Sequence, residues 1–350
     1  TALVGESYDR AYRAILQVQL LAEMEEVVLH RSQPEKMPQP RLLAIWRNRL
    51  LNAQRSIEVW SDVLSVRRLV APPSEDPTVW LKYSNLCRKS GRSDLGRSIL
   101  KEILGSRGES VGHGGVGAGG DDGDKARLSP SGMGELTKLQ MQAGTYGLIK
   151  QMWEDGQRTE AIAELSRFVG KEPHETFAAK GWRRLAKWQH ALGAPQPLDE
   201  QRAKTVLQSL QHATELAPDS YTAWHKWAMM HFECVQTMPP ATAARHIVPA
   251  MRGFFRSIAL GRELALQDLL RLLTLWFKYG SNGDVCAAFE EGVENISVEL
   301  WLLVTPQIIA RIHTPTPQLR RSVNDLLSRV AREHPHGLIY PLTAASKSAL

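Results

Sequence analysis

Four cations stand out as groups that could do chemistry together. Lys89, Lys150, Lys180 and Arg184 recur near the ends of the first helix of successive predicted helical hairpins. Cations at helix C-termini offset the macrodipole, and that alone would account for them. Equivalent positions on consecutive repeats also converge on a concave groove, where lysine and arginine would hold a polyphosphate. Spacing leaves both readings open. Other candidates carry less. The glycine tract 112–123 lacks a preceding strand, a following helix and the Gly-Lys-Ser/Thr ending of a phosphate loop. Asp121, Asp122 and Asp124 imitate part of a calcium loop, but the closing glutamate is missing. His334 and His336 flank Pro335 without further ligands nearby, so no metal is expected there. His225 and His231 lie near Cys234 beside Trp224 and Trp227, which favours helix packing. The sequon at Asn295 means little without secretion. Gly-x-Ser-x-Gly, His-Arg-Asp and Asp-Phe-Gly do not occur, so neither hydrolase nor kinase catalysis is expected and no catalytic residue is assigned.

Composition narrows the class. The chain has 350 residues, 43% hydrophobic and 23% charged, which suits a soluble two-domain protein or one long repeat array. No apolar run is long enough for a transmembrane segment, and no signal peptide opens the chain. Three cysteines are too few for a disulfide framework, so a reducing, cytoplasmic setting is expected. A net charge of +6 is spread too thinly to predict nucleic-acid binding, and no regular basic repeat position supports it. Beginning at Thr1, the sequence reads as a piece of something longer. Ten tryptophans, more than either tyrosines or phenylalanines, suggest large side chains wedged between paired helices.

The elements that must position the four cations are helices. Apolar residues recur at three-to-four spacing, and no alternation of period two is present. Helices are predicted over Val4–Val28 and Leu42–Leu69, with prolines between and after them. Pro77–Leu104 reads as a hairpin, with Asp76 as N-cap, Pro77 at the first helical position and Gly91 in the turn. Tyr146–Val169 repeats the design around Gly156, and Leu269–Ile296 around Gly283. Five residues after each turn glycine comes a small residue, Gly96, Ala161 or Ala288, which permits close helix approach. Pro218-Asp219-Ser220 starts another helix, and two more are predicted over Val298–Ile312 and Leu319–Arg332. The fold class is therefore all-α, an α-solenoid of tetratricopeptide-like and HEAT-like hairpins that bury their faces on one another. Gly105–Gly134 is read as a disordered glycine-rich insertion, which costs the array little closure entropy.

Several blocks in order resemble one family. They are Gly5-Glu6-Ser7-Tyr8-Asp9-Arg10-Ala11-Tyr12, Trp80-Leu81-Lys82-Tyr83, Lys89-Ser90-Gly91-Arg92, Ala223-Trp224-His225-Lys226-Trp227, Gly253-Phe254-Phe255-Arg256-Ser257 and Leu338-Ile339-Tyr340-Pro341-Leu342. Leu272–Phe277 and Ile308–Ile312 add to them. Together they resemble the FAT region of the target-of-rapamycin kinases, of the phosphatidylinositol-3-kinase-related group. The resemblance runs almost end to end and skips the glycine loop. It implies N-terminal hairpins over 1–104, the loop over 105–134, tetratricopeptide-like hairpins over 135–238 and HEAT-like hairpins over 239–350. The rapamycin-binding and kinase domains, with their ATP and magnesium, would lie beyond. It implies a regulatory scaffold that clamps the kinase domain in growth control by nutrients. The partners implied are that domain and Raptor-type, Rictor-type and Lst-type subunits, in the cytoplasm or on the cytosolic face of lysosomal or vacuolar membranes.

The resemblance also implies an inositol hexakisphosphate site. Its lysines fall on Lys89 and Lys150, its arginine on Lys180 and a further lysine on Arg184. Another family lysine falls on Thr222, where the charge is lost. A stand-alone helical-repeat interaction module remains the alternative to the kinase-linked scaffold.

Overall fold

The computed structural model describes residues 8–105, 130–193, 198–261 and 265–348. Every regular element among them is a helix. The chain forms two compact units, 1–165 and 166–350. Each is a run of helical hairpins in which successive helices pack on one another, the α-solenoid arrangement.

The first unit holds α1 (Tyr8–Ser32), α2 (Gln39–Asn52), α3 (Ile57–Arg67), α4 (Pro77–Lys89), α5 (Ser93–Gly105), α6 (Pro130–Glu154) and the start of α7 (Arg158–Val169). The expected helix Leu42–Leu69 is two helices. Ala53 and Ser56 are extended, and the Gln54 amide donates to the Tyr12 hydroxyl at 2.7 Å. The break was invisible to periodicity because Leu50 and Ile57 are seven residues apart, so the apolar stripe runs through in phase. The first helix runs past its expected end at Val28, to Ser32. Asp76 does stand at the N-cap of α4, but its carboxylate takes Arg47 at 2.9 Å instead of capping the backbone. Most of the expected glycine-rich loop lies outside the described residues, while residues 130–134 belong to α6.

Two hairpin turns are built alike. Gly91 and Gly156 have φ of +79° and +87°, which only glycine adopts cheaply. In each, the next amide bonds back five residues, Arg92 to Cys87 at 2.9 Å and Gln157 to Met152 at 3.0 Å, closing a Schellman turn. The small residue five positions on matters as expected. A Cβ on Gly96 would stand 3.1 Å from the Ser84 carbonyl of the facing helix.

The second unit continues with α8 (Glu175–Leu192), α9 (Glu200–Leu216), α10 (Tyr221–Thr237), α11 (Pro240–Leu260), α12 (Ala265–Tyr279), α13 (Gly283–Val293), α14 (Val298–Leu302), α15 (Thr305–Ile309), α16 (Pro317–Glu333) and α17 (Pro335–Ser348). Two expectations need correction here. Gly283 is the first residue of α13 and not a left-handed turn residue. Asn282 caps that helix, its side chain accepting from the Asp284 amide at 2.9 Å. The expected helix Val298–Ile312 is two short ones, because Pro306 has no N–H to give the Leu302 carbonyl. The Thr305 hydroxyl bonds the Trp301 carbonyl at 3.1 Å beside the break.

The tryptophans are wedges, as their number suggested. Trp46, Trp276 and Trp301 are fully buried. Phe289 sits at the centre of the second core, stacked on Trp276 at 3.7 Å and edge-on to Phe255 and Trp301. In the first unit, Glu23 is 0% exposed and takes the Arg67 guanidinium on both oxygens at 2.8 and 2.6 Å. Arg67 gives its remaining fork nitrogen to the Trp46 carbonyl at 2.7 Å. Replacing Arg67→Met would strand the carboxylate and cost about 3–5 kcal/mol. The double change Glu23→Leu, Arg67→Met should recover most of that loss. Urea midpoints of the three proteins check this; equal losses in single and double variants would refute it.

Candidate functional site

The four cations fall two in each unit. In the first, Lys89 is the exposed last residue of α4, and Lys150 stands one turn before the end of α6. The Lys150 ammonium donates to the Asn85 side-chain carbonyl at 3.2 Å and lies 5.2 Å from the Tyr146 ring centre. Asn85 precedes Lys89 by one turn on α4, so the two lysines belong to adjoining helix faces. The same Asn85 oxygen accepts from Arg88 at 3.2 Å, and Arg88 also pairs with Glu154 at the end of α6. Arg88 is thereby neutralised, while Lys89 beside it is exposed.

In the second unit, Lys180 and Arg184 are one turn apart on α8, exposed and half-buried respectively. They stand in the middle of that helix and not near its end, contrary to expectation. The His174 ring caps α8 and the helix runs on to Leu192, so neither cation is within the turn where the macrodipole acts. That removes the bland account for this pair. The Arg184 guanidinium lies 5.9 Å from the Trp188 ring centre, which orients it along the helix.

Thr222, where the resemblance loses a charge, is not left apolar. It is an exposed residue of the first turn of α10, and its hydroxyl accepts from the Arg183 guanidinium. Sequence reasoning passed over Arg183. The only signal was its place beside Arg184, because its partner is 39 residues away and only the hairpin stack unites them. The Arg183 Nε is buried and makes no hydrogen bond. A second bond joins the same two helices further on, His190 to Glu233 at 3.0 Å. The donor set in this unit thus suits a phosphorylated anion.

The histidines behave as packing groups. His225 bonds buried Asp268 at 2.8 Å, and Asp268 also accepts from Ser257 at 2.9 Å and Arg271 at 3.1 Å. Cys234 is buried, and burial pushes its thiol up to about 12, which makes it inert as a nucleophile. His334 lies 3.9 Å from Glu299. Among the described residues no three His, Cys, Asp or Glu are placed to hold a metal ion, and no helix is long and apolar enough to cross a membrane.

His231 and His246 join α10 to α11 through their Nδ1 atoms at 2.8 Å, so one ring donates and the other accepts. His231 also packs edge-to-face with Trp227, ring centres 4.4 Å apart. Burial, and then His246, push the His231 pKa down to about 3. The unfolded chain binds that proton near pH 6.5, at the ordinary histidine value. Between those values the unfolded state holds more protons, so stability is complete above about pH 6.5 and falls as pH drops toward 3. The loss contributed by this residue is at most about 1.4 kcal/mol per pH unit. His231→Gln should flatten the stability-versus-pH curve between pH 6.5 and 4.5. Parallel curves for the two proteins in denaturant titrations would contradict this.

Comparison with known proteins follows the same lines. Residues 1–274 match the FAT domain family. The serine/threonine-protein kinase mTor of Drosophila melanogaster is 35% identical, covering 100% of this chain and 15% of the relative. The kinase tor1 of Schizosaccharomyces pombe is 32% identical, covering 99% and 15%. The chain therefore spans about one-seventh of the curated relatives it matches. A solved structure of CtTel1 in its open conformation superposes with a TM-score of 0.54 at 12% identity, covering 93% of this chain and 14% of that one. At that identity the likeness concerns the fold.

Proposed function

Because the chain belongs to the FAT domain family, as a TOR-type FAT region, we propose that it is the regulatory scaffold of a serine/threonine kinase and not itself the catalyst. It holds the kinase domain against a stack of rigid hairpins. ATP and magnesium belong to that domain. The kinase controls growth in response to nutrients, in the cytoplasm or on the cytosolic face of endomembranes, together with Raptor-type, Rictor-type and Lst-type subunits. The observation that carries this reading is similarity to TOR kinases along the whole chain, laid over packed helical hairpins among the described residues of each unit.

The reading extends to inositol hexakisphosphate, with Lys89 and Lys150 as its candidate ligands in the first unit and Lys180 and Arg184 in the second, each pair taken by itself. The mid-helix position of the cations on α8 supports this part. The ligand would neutralise like charges on the hairpins and raise their stability.

Two measurements test the proposal. The coding sequence after Leu350 should continue into a kinase domain, whereas a stop codon there would favour the stand-alone interaction module. Inositol hexakisphosphate at about 100 times its Kd should stabilise the chain by about 2.7 kcal/mol. Lys89→Glu with Lys150→Glu should lower that gain, read as the ligand-induced rise in melting temperature. An unchanged melting temperature at millimolar ligand would remove the anion site and leave the scaffold reading in place.

A further inference from the structure

We infer that the cleft between the α10–α11 and α12–α13 turns docks a segment of a partner protein in which a large apolar side chain stands beside an aspartate or glutamate. None of the four cations weighed above lines this cleft.

The cleft follows from how the two hairpins turn. Pro239 disfavours helix in the residue before it, so α10 ends and Met238 is extended, at φ −89° and ψ 160°. Pro240 then takes the first position of α11, where its missing N–H costs nothing. In the next hairpin, α12 ends at Tyr279 and Asn282 caps α13. Between the two turns lies a cavity of about 370 Å³. Val235, Met238 and Ile247 from the first hairpin line it with apolar groups. The second hairpin contributes the polar run Lys278, Ser281 and Asn282. The volume is at the lower end of the about 300–1,000 Å³ typical of ligand pockets, room for one large side chain and its neighbour.

Charge decides what fits. Each turn brings one helix C-terminus and one helix N-terminus to the cleft, so the macrodipole ends offset each other. Lys278 is the one charged side chain among the described residues that line it. Its ammonium lies 5.1 Å from the Tyr279 ring centre, a contact that orients the charge without neutralising it. Asn282 spends its side-chain oxygen on the Asp284 amide, so its NH2 group is what it has left to offer. With the Ser281 hydroxyl, the second hairpin presents donors, and a carboxylate answers them. The first hairpin presents apolar groups, and an aliphatic or aromatic side chain answers those. Gln236, Pro240 and Ser281 are exposed, so the cleft is open at its rim. A free small ligand needs most of its surface covered. A side chain delivered by a partner needs only its own end buried, as with the anchors that fill pockets in protein interfaces. The occupant is therefore a peptide segment.

The test selects a random peptide display library on the full 350-residue chain, with Ala244→Trp as the counter-target. Ala244 lines the cleft and is exposed, so a tryptophan there fills the cleft without entering the core. Enriched peptides should pair a leucine or phenylalanine with an adjacent acid. In fluorescence polarisation, Lys278→Glu should weaken binding of such a peptide by about tenfold or more, the loss expected for a charge-assisted contact. The same peptide with lysine in place of its acid should bind Lys278→Glu better than wild type, which a merely structural effect would not produce. Both substitutions fall at exposed positions, and circular dichroism confirms that each variant is folded. No enrichment over Ala244→Trp, or equal affinity of wild type and Lys278→Glu, would overturn the inference. So would either rival occupant. One is octanoate, bound by wild type but not by Ala244→Trp while no peptide is enriched. The other is a second copy of the chain, seen in analytical ultracentrifugation as a dimer that Ala244→Trp dissociates.

Discussion

Buried carboxylates that can be satisfied in only one arrangement hold these hairpins in register. An apolar stripe on a helix tolerates a slide by one ridge, because hydrophobic burial has no direction. A dry carboxylate does not tolerate it, since a slide leaves a charge without a partner. Glu23 on α1 is closed by Arg67 on α3, and Arg67 is closed in turn by the Trp46 carbonyl on α2. Asp268 on α12 plays the same part in the second unit, gathering His225 from α10, Ser257 from α11 and its own neighbour Arg271. Each centre ties three consecutive helices at one point. Everything around it can then be packed by shape alone.

Shape packing is done by tryptophans set against small residues. The indole of Trp276 lies flat on Phe289, and Phe255 and Trp301 pack edge-to-face with that same Phe289 ring. Elsewhere the helices meet where side chains are nearly absent. A Cβ on Gly253 would stand 2.8 Å from the Ala228 methyl carbon and from the Trp227 ring. Large wedges fix the angle between neighbouring helices, and the glycines fix how near they come. With position and angle both set, a cation on the outer face has a defined place. A polyphosphate needs that, because its charges are rigidly spaced.

What the sequence disclosed and what it hid divide along the reach of the interactions. Helical period, the left-handed glycines at 91 and 156 and the small residues five positions on depend on residues within one hairpin, and they were legible. The break after Asn52 was not, because the apolar pattern keeps phase through it. Asp76 looked like a cap because caps are local, yet Arg47, 29 residues earlier, claims the carboxylate. Gly283 looked like the other two turn glycines, but Asn282 supplies a side-chain cap that makes a left-handed residue unnecessary. For the site, Lys180 and Arg184 could be picked out by spacing, but their mid-helix position could not. Arg183 became meaningful only when Thr222 was found against it.

The two rungs between α8 and α10 bear on how a polyanion would act. In a repeat stack, stability is close to a sum of terms between neighbouring elements. Helices one place apart in the stack share little surface, so their coupling is weak by construction. Between α8 and α10 the hydrogen bonds Arg183–Thr222 and His190–Glu233 contribute to it, the first exposed and the second part-buried. A multivalent anion on the basic face would bridge those same two helices with several charge-assisted bonds at once. It would thus add an interaction of longer range than packing provides. The gain falls where nearest-neighbour packing contributes least.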